Sequence, residues 1–315
     1  MKVAVKQTVR GRGLVAQQLI LRGESLFQEV ALAAHRTCIS TEVLRPPSRK
    51  VQHERRRKGW RSRSATAKMG SGALTSTEPA VLAPERPTEA EHAICPHCFR
   101  AGCNCAESNP QSHKFLAALQ RPDVVEVMSA LDAQGVRFPA VAAKLALRIG
   151  LEERGTDLNE LVSSLVVPSQ WSDATDGTQL PAEWQELYGQ LEPILRRVLG
   201  PSGFNPMWFA GVMGRLHLNA MSTGDRTTAL FALSSFFNHS CRPNISPRFD
   251  GAEVTWVAET DIQPEEECFI SYRTIGMADD EPEAARDEWL HWNYGFRCQE
   301  TCSCGRFDSA DGLLG

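Results

Sequence analysis

The sequence predicts a mainly β protein that carries an α-helical insert, and three observations support this fold class. Residues 2–6 alternate between apolar and polar side chains, as a short strand does. Asp250-Gly251 lies inside the alternating run 249–257, which is typical of a β-hairpin. In residues 113–200, by contrast, apolar side chains recur at spacings of three and four, which predicts helices.

Length and composition set the first bounds on the protein. The chain has 315 residues, of which 42% are hydrophobic, so it can bury a full core as one elaborated domain or two small ones. No stretch reaches the roughly 18 consecutive apolar residues that a bilayer span needs. The first residues form no apolar run of secretory type. We therefore expect a protein of the nucleus, the cytoplasm or both, with no membrane partner.

Positive charge is concentrated in residues 45–68, which contain ten Lys or Arg and a single acid, Glu54. Subtracting this charge of +9 from the net charge of −4 leaves −13 for the rest of the chain. The surrounding Ser/Thr/Ala/Pro-rich sequence has no apolar periodicity, which predicts a disordered insertion over residues 36–92. Such a basic run fits a nuclear-import signal or a contact with nucleic acid or chromatin. A solvated loop without a partner fits it equally well.

Proline, glycine and asparagine mark the expected helix boundaries. Pro139 precedes a run of good helix formers and stands where the first turn of a helix tolerates proline. Pro181 and Gly200 are expected to begin and end a further helix. Asn205 is expected to cap a short helix that begins at Pro206. Nothing in these helices requires a cofactor, so their apolar stripes are interpreted as core.

The ten cysteines are clustered, and in a reducing compartment this clustering predicts metal ligation, not disulfides. Cys95 and Cys98 form a Cys-x2-Cys knuckle, which presents two thiolates to one tetrahedral zinc ion. Cys103 and Cys105 can supply the other two ligands, or one of them can do so together with His113. We expect at most one zinc ion here, and unligated thiols are the alternative.

Three short strings, far apart in the sequence, carry a family resemblance. Residues 236–244 read FFNHSCRPN, a polar and turn-prone string that follows two aromatic residues. Residues 11–13 read GRG, a turn in which the backbone can approach a ligand closely because glycine has no Cβ. Residues 270–272 read ISY. Taken together, these strings resemble the SET-domain protein-lysine methyltransferases, and the SET-and-MYND branch in particular.

The resemblance implies a β-clip fold of small curved sheets with a pseudoknot, an α-helical insertion and a zinc-binding post-SET segment. The implied domains are the SET N-terminal half (1–35), the basic insertion (36–92), a degenerate MYND-like finger (93–114), a helical SET insert (115–200), the C-terminal catalytic half (201–297), and the post-SET segment with its tail (298–315). Because the sequence ends at Gly315, we expect no helical-repeat C-terminal domain of the kind that many SET-and-MYND proteins carry.

The resemblance also implies S-adenosylmethionine as the cofactor and assigns residues to its site. Tyr272 matches the catalytic tyrosine, and Tyr294 matches a second tyrosine of the lysine channel. Asn238 and His239 are expected to contact the amino and adenine ends of the cofactor, and the Phe296 ring is expected to pack on adenine. The full set of implied cofactor contacts is Gly11, Arg12, Gly13, Asn219, Asn238, His239, Tyr272 and Phe296.

A zinc site near the end of the chain is implied in the same way. Cys241 is expected to complete a four-thiolate site with the post-SET cysteines Cys298, Cys302 and Cys304. Their spacing here is Cys-x3-Cys-x-Cys, whereas the family has Cys-x-Cys-x2-Cys. The number of thiolates is right, and so the zinc prediction is kept.

Two further positions depart from the family pattern. Met221 stands two residues after Asn219, where the family has an aromatic that walls the lysine channel, unless the alignment is shifted by a residue or two. Glu265 replaces a turn glycine, which is costly if that position needs a positive φ. The first change predicts a more adaptable channel wall. The second puts only the local turn in question.

The implied reaction moves a methyl group from a sulfonium to a lysine side chain of a histone or non-histone protein. A free lysine has a pKa of about 10.4, so an apolar channel must lower that pKa by desolvation. The Tyr272 hydroxyl can orient the amine without acting as a strong base. The alternatives are a non-catalytic SET protein that binds chromatin, RNA or protein partners through residues 45–68, and a zinc-finger interaction module. The intact glycine turn, Asn238, His239 and Tyr272 favour the enzyme.

Overall fold

The computed structural model of this chain describes residues 1–36, 113–167, 181–201, 203–223, 227–272 and 283–297. All of them belong to one of the two units into which the chain divides, the unit formed by Met1–Ile39 and Ile94–Gly315. Apart from Arg36, the predicted basic insertion lies outside the described residues, as do the cysteines of both predicted zinc clusters other than Cys241.

Short strands pair into small sheets. In chain order they are β1 (Val3–Thr8), β2 (Gly11–Ala16), β3 (Ser25–Val30), β4 (Ala33–Arg36), β5 (Ala220–Ser222), β6 (Thr227–Leu230), β7 (Asn238–His239), β8 (Ile245–Asp250), β9 (Glu253–Ala258) and β10 (Phe269–Ile270). β1 and β2 form an antiparallel hairpin, the orders β3-β9-β8 and β4-β6-β5 are also antiparallel, and β7 pairs with β10 in parallel. Gly251 has a φ of 61° in the turn between β8 and β9, which confirms the predicted hairpin.

The helices include those that the sequence predicted from Pro139, from Pro181 with Gly200, and from Asn205. They are α1 (His113–Leu119), α2 (Pro122–Ala133), α3 (Phe138–Leu151), α4 (Gly155–Ser164), α5 (Ala182–Leu199), α6 (Pro206–Asn219) and α7 (Glu283–Tyr294). Pro139 lies in the first turn of α3, and Gly200 ends α5 with a φ of 82°. The Asn205 side chain caps α6 by accepting a hydrogen bond of 2.8 Å from the Trp208 amide.

Buried side chains form two main cores, one among the helices and one among the sheets. The helical core includes Leu131, Leu145 and Phe209, which are fully buried. The sheet core includes Leu14 and Trp256, which are also fully buried. Small sheets with a helical insert are therefore confirmed. Helical residues outnumber strand residues in the described part of the chain, because the insert is long.

One segment of the sheet region, residues 266–270, has backbone partners on both of its edges. On one edge, the Ala16 amide donates to the Glu266 carbonyl at 2.9 Å, and the Cys268 amide donates to the Leu14 carbonyl at 2.7 Å. On the other edge, β10 pairs in parallel with β7, and the Ser240 amide donates to the Ile270 carbonyl at 2.9 Å. The segment is thus threaded between β2 and the FFNHSCRPN string.

Asn244 holds this crossing together through its side chain. Its Oδ1 accepts a hydrogen bond of 2.7 Å from the Phe269 amide, and its Nδ2 donates to the Glu267 carbonyl at 2.9 Å. The residue is 9% exposed, so both bonds are shielded from water. Asn244 therefore satisfies backbone groups at the point where β7 and β10 stop pairing.

Glu265, at the turn that leads into this segment, has a φ of 68°. The family pattern has a turn glycine at this position, and a non-glycine residue with such a φ costs on the order of 1 kcal/mol. Its carboxylate accepts a hydrogen bond of 2.7 Å from Lys6 Nζ, but this pair is exposed and offsets little of the strain.

Within the described residues, no helix combines the length and the apolar character that crossing a membrane requires.

A buried polar cluster joins the helices to the sheets. His35 Nε2 lies 2.6 Å from Asp132 Oδ1, and Lys144 Nζ donates to the Ala34 carbonyl at 2.8 Å. Since a carboxylate only accepts hydrogen bonds, Nε2 of His35 carries the hydrogen and Nδ1 carries none. Nδ1 is buried and has no hydrogen-bond partner among the described residues. Burial, and then the positive charge of Lys144, lowers the pKa of His35 from its ordinary value of 6.5 despite Asp132.

This depressed pKa predicts a loss of stability in acid. The unfolded chain binds a proton at His35 near pH 6.5, whereas the folded chain resists it. The free energy of unfolding should therefore fall as pH drops below about 6.5, with a contribution from His35 of at most about 1.4 kcal/mol per pH unit. His35→Gln, whose amide can still donate to Asp132, should show a smaller fall. Urea unfolding at pH 7.5 and 5.5 measures the free energy of unfolding of the wild type and of His35→Gln. An equal decrease in the two proteins between these pH values would contradict the role of His35.

Candidate functional site

A cleft of about 220 Å³ opens beside the turn between β1 and β2. Its other walls come from distant parts of the chain: the ends of α4, α6 and α7, and the 3₁₀ turn Ser234–Phe236 that precedes β7. Seven site residues predicted from the sequence line it: Gly11, Arg12, Asn219, Asn238, Tyr272, Tyr294 and Phe296. Gly13 and His239 lie behind this surface, and Met221 packs against the sheet core from β5.

Aromatic rings form one wall of the cleft. The Tyr272 and Tyr294 ring centroids are 4.7 Å apart, and Phe296 lies 6.2 Å from Tyr272 and 6.3 Å from Tyr294. Trp289 supports Tyr294 from α7 at 5.6 Å. α7 ends at Tyr294, and Gly295 follows with a φ of 80°, which turns the chain so that Phe296 returns to the cleft.

Tyr272 is fixed at both its backbone and its hydroxyl. Its hydroxyl donates to the Phe237 carbonyl at 2.6 Å, and its amide donates to His239 Nδ1 at 2.9 Å. Burial, together with Tyr294 and Glu267, raises the pKa of Tyr272 well above its ordinary range. Burial also raises the pKa of Tyr294 to about 12. Both hydroxyls are therefore neutral near pH 7 and act as hydrogen-bonding groups, not as bases.

His239 turns its ring into the protein. The residue is 3% exposed, and Nδ1 accepts the hydrogen bond from the Tyr272 amide, so the ring hydrogen is on Nε2. Nε2 lies 3.4 Å from Cys241 Sγ. Both ring nitrogens thus face protein groups, and any contact of His239 with a cofactor would come from its backbone. That contact stays a prediction.

Cys241 is partly exposed and packs against the buried Leu290, as Tyr294 and Phe296 also do. Its predicted partners Cys298, Cys302 and Cys304 lie outside the described residues, as do Cys95, Cys98, Cys103, Cys105 and the side chain of His113. Among the residues that are described, no group of three or more His, Cys, Asp or Glu side chains is arranged to hold a metal ion. Both zinc sites stay predictions.

A polar contact beside the glycine turn involves Glu267, a residue that no sequence motif marked as part of the site. Glu267 Oε1 accepts a hydrogen bond of 2.6 Å from Asn238 Nδ2, and Oε2 lies 3.4 Å from Arg10 Nη1. A Cβ on Gly13 would lie 2.9 Å from Asn238 Nδ2 and closer still to Glu267 Oε1. The second glycine of the turn is therefore required by the Glu267–Asn238 pair.

The end of α4 is held at the cleft by side chains from β2 and α6. Arg12 donates to the Ser164 carbonyl, and its guanidinium lies 5.0 Å from the centroid of the Phe236 ring. Asn219 Nδ2 donates to the Val166 carbonyl at 3.0 Å. The predicted helical insert thus contributes Leu165 and Val166 to the cleft, which no local sequence signal indicated.

Hydrogen bonds with side chains of β3 and β9 hold the 3₁₀ turn that places Phe236 in the cleft. The Glu29 carboxylate accepts hydrogen bonds from the amides of Leu233 at 2.7 Å and Ser234 at 3.0 Å. Trp256 Nε1 donates to Ser234 Oγ at 2.8 Å. β3 and β9 therefore position the start of the FFNHSCRPN string.

A family profile described as "SET domain" matches residues 11–273, which is most of the chain. The chain belongs to the SET-domain family. The matched residues run from the glycine turn to one residue beyond Tyr272, so they include most of the walls of the cleft.

Several relatives of this SET-domain protein bear SET-and-MYND names. It is 32% identical over 137 residues to SET domain and MYND-type zinc finger protein 6 of Schizosaccharomyces pombe, covering 42% of this chain and 24% of that protein. It is 28% identical over 183 residues to a SET and MYND domain-containing protein of Dictyostelium discoideum, and this match covers 52% of this chain and 50% of that protein. The SET-domain chain thus spans half or less of the length of these relatives.

A further relative and a solved structure are also similar to this chain. The SET-domain chain is 32% identical over 114 residues to Histone-lysine N-methyltransferase SET5 of Mycosarcoma maydis, covering 34% of this chain and 21% of that protein. A crystal structure of the SET domain of LSMT bound to lysine and AdoHcy aligns with 94% of this chain and 53% of that chain, with a TM-score of 0.36 and 12% identity.

Gly13→Ala tests the packing behind the glycine turn. The added Cβ must displace Glu267 or Asn238, which hold each other, so the free energy of unfolding should fall by roughly 1–3 kcal/mol. Gly189→Ala is the matched control, because a Cβ there meets nothing within 4 Å and the residue is in a helix. The control should be stabilised by about 0.5–1 kcal/mol. Thermal and urea unfolding measure both, and an unaltered stability of Gly13→Ala would refute the tight contact.

Proposed function

We propose that this SET-domain protein is an S-adenosylmethionine-dependent protein-lysine N-methyltransferase. The observation that carries the proposal is the position of Tyr272, which lines the cleft together with Gly11 and Asn238 and whose raised pKa keeps its hydroxyl neutral. Membership of the SET-domain family supports the same reaction class. The name of the Mycosarcoma maydis relative, a histone-lysine N-methyltransferase, also supports it.

The cleft residues fit the chemical parts of this cofactor. Phe296 and Tyr294 offer aromatic faces for a purine ring. Asn238 offers a side-chain amide, and Arg10 and Arg12 bring positive charge to the same cleft for a carboxylate. When bound there, S-adenosylmethionine supplies a methyl group on a positively charged sulfur. The chain's own task is then to bring a neutral lysine amine into line with that methyl group.

Tyr272 and Tyr294 are suited to orient the amine. With its hydroxyl donating to the Phe237 carbonyl, Tyr272 keeps its oxygen lone pairs as acceptors for an amine N–H. The raised pKa of Tyr294, about 12, keeps its hydroxyl neutral as well. Neither residue removes the proton from a lysine ammonium. Desolvation of the lysine by the aromatic wall lowers its pKa, and the proton leaves to water before methyl transfer.

The substrate we propose is a lysine side chain of a protein, histone or non-histone. The alternative of a non-catalytic protein that binds chromatin, RNA or protein partners depends on residues 45–68, which lie outside the described residues. No observation on the described residues favours that alternative over catalysis. Contact of the basic segment with nucleic acid stays a sequence prediction.

We also propose that Cys241 ligates zinc together with Cys298, Cys302 and Cys304. The His239 Nε2–H group lies 3.4 Å from Cys241 Sγ and suits a thiolate. Cys241 and Phe296 both pack against Leu290 of α7, the helix that precedes Cys298 in the sequence. Cys241→Ser should lower the zinc content by one ion per chain in elemental analysis. Cys268→Ala is the control, since Cys268 is fully buried in the sheet core, and it should keep the wild-type content. An unchanged zinc content in Cys241→Ser would contradict the site.

Tyr272→Phe tests the enzymatic proposal. The variant should bind S-adenosylhomocysteine within about twofold of wild type, because the ring remains in the aromatic wall. Methyl transfer should fall by about 100-fold, since one positioned hydroxyl is lost at the reacting centre. Calorimetry measures binding. Labelled cofactor with core histones and with a whole-cell extract, read by mass spectrometry, measures transfer.

Tyr188→Phe is the matched control for this experiment. Its hydroxyl also donates to a backbone carbonyl, that of Phe204, but it lies in the helical core, away from the cleft. This variant should methylate at the wild-type rate. A wild-type protein that binds no S-adenosylhomocysteine after zinc loading, or a Tyr272→Phe variant with full activity, would overturn the proposed function.

A further inference from the structure

The orientation of the Asn238 side chain is fixed by its neighbours. Asn238 Nδ2 donates to Glu267 Oε1 at 2.6 Å and to the Arg12 carbonyl at 3.3 Å. Both of these partners can only accept hydrogen bonds, so the atom that faces them must be the nitrogen. Asn238 lines the cleft, and because Nδ2 faces these two acceptors, Oδ1 is the side-chain atom that can bond a ligand there.

This orientation decides which chemical group the cleft can recognise at Asn238. A carbonyl oxygen accepts hydrogen bonds and attracts a cation, whereas an amide nitrogen in the same place would repel one. The cofactor's amino-acid part carries both an ammonium and a carboxylate. Asn238, as the structure orients it, suits the ammonium.

Glu267 is held in place firmly enough to impose this orientation. Its side chain is only 11% exposed, and Arg10 Nη1 lies 3.4 Å from its second oxygen, so its charge is balanced inside the protein. Its backbone is fixed independently, because its carbonyl accepts the hydrogen bond from Asn244 Nδ2. Gly13 leaves the space that the carboxylate occupies.

We propose that Glu267 is a positioning residue, which turns the Asn238 amide so that its oxygen accepts a hydrogen bond from the ammonium group of the bound cofactor. This inference rests on the proposed function and adds to it a residue that does not line the cleft. It also assigns a reason to the second glycine of the turn: a side chain at Gly13 would displace Glu267 and release Asn238.

The test compares two ligands that differ in the part Asn238 recognises. S-adenosylhomocysteine has the amino-acid part, whereas 5′-methylthioadenosine lacks it and keeps the adenosine. Glu267→Met preserves the length of the side chain but removes the shorter of the two acceptors of Asn238 Nδ2, so that the 3.3 Å bond to the Arg12 carbonyl is left to hold the amide. Calorimetry should show S-adenosylhomocysteine binding about tenfold more weakly, the scale of one lost charge-assisted hydrogen bond. Binding of 5′-methylthioadenosine should stay within about twofold of wild type.

Glu265→Met is the matched control. It removes the same charge two residues away, but the Glu265 carboxylate is exposed, and in the described part of the chain its hydrogen bonds come from Lys6. This control should bind both ligands as wild type does, which separates local positioning from a change in net charge. Should Glu267→Met fail to fold in thermal unfolding, Glu267→Gln replaces it. The glutamine amide can accept or donate, so it should give a smaller loss, again confined to S-adenosylhomocysteine.

The outcomes are distinguishable. A loss confined to S-adenosylhomocysteine supports the positioning role of Glu267. An equal loss for both ligands would mean that Glu267 only maintains the fold, and unaltered binding would mean that Asn238 needs no orientation; either result overturns the inference and leaves the proposed function intact. A wild-type protein that binds neither ligand overturns the proposed function, and the inference with it.

Discussion

Hydrogen bonds along both edges of residues 266–270 set the geometry on which the rest of the site depends. β2 satisfies one edge, β7 satisfies the other, and the Asn244 side chain closes the crossing where the parallel pairing ends. Each buried backbone group left without a partner there would cost roughly 1–3 kcal/mol. Because this segment runs directly into Tyr272, the pairing that satisfies its backbone also brings Tyr272 against His239 and the cleft.

Close packing and polar contacts act together around that crossing. The missing side chain of Gly13 leaves room for the Glu267 carboxylate, which in turn orients Asn238. Arg12 and Asn219 hold the backbone at the end of α4, so the helical insert becomes part of the site wall. The insert is thus fastened to the SET core by side chain-to-backbone hydrogen bonds, which fix position without requiring a particular side chain on α4.

Helix starts and hairpin turns depend on residues that are close in sequence, and they were predicted well. The starts of α3 and α6 follow from proline and asparagine at their first turns, and the β8–β9 hairpin follows from Asp250-Gly251. The FFNHSCRPN string located the cleft. It could not show that the His239 ring turns inward, because that depends on a partner 33 residues away. Glu267 escaped notice for the same reason: in sequence it is one acid in a row of three, and its role exists only through Asn238 and Arg10.

Hydrogen–deuterium exchange with and without S-adenosylhomocysteine tests most directly whether the cleft beside the crossing is the cofactor site. If it is, the ligand should slow exchange in peptides that cover residues 10–14, 236–240 and 268–272, and leave the helical core around α3 unchanged. Slower exchange at the three cleft segments together is the predicted result. Binding that protects α3, or another part of the chain, while those three segments exchange as before would contradict the assignment.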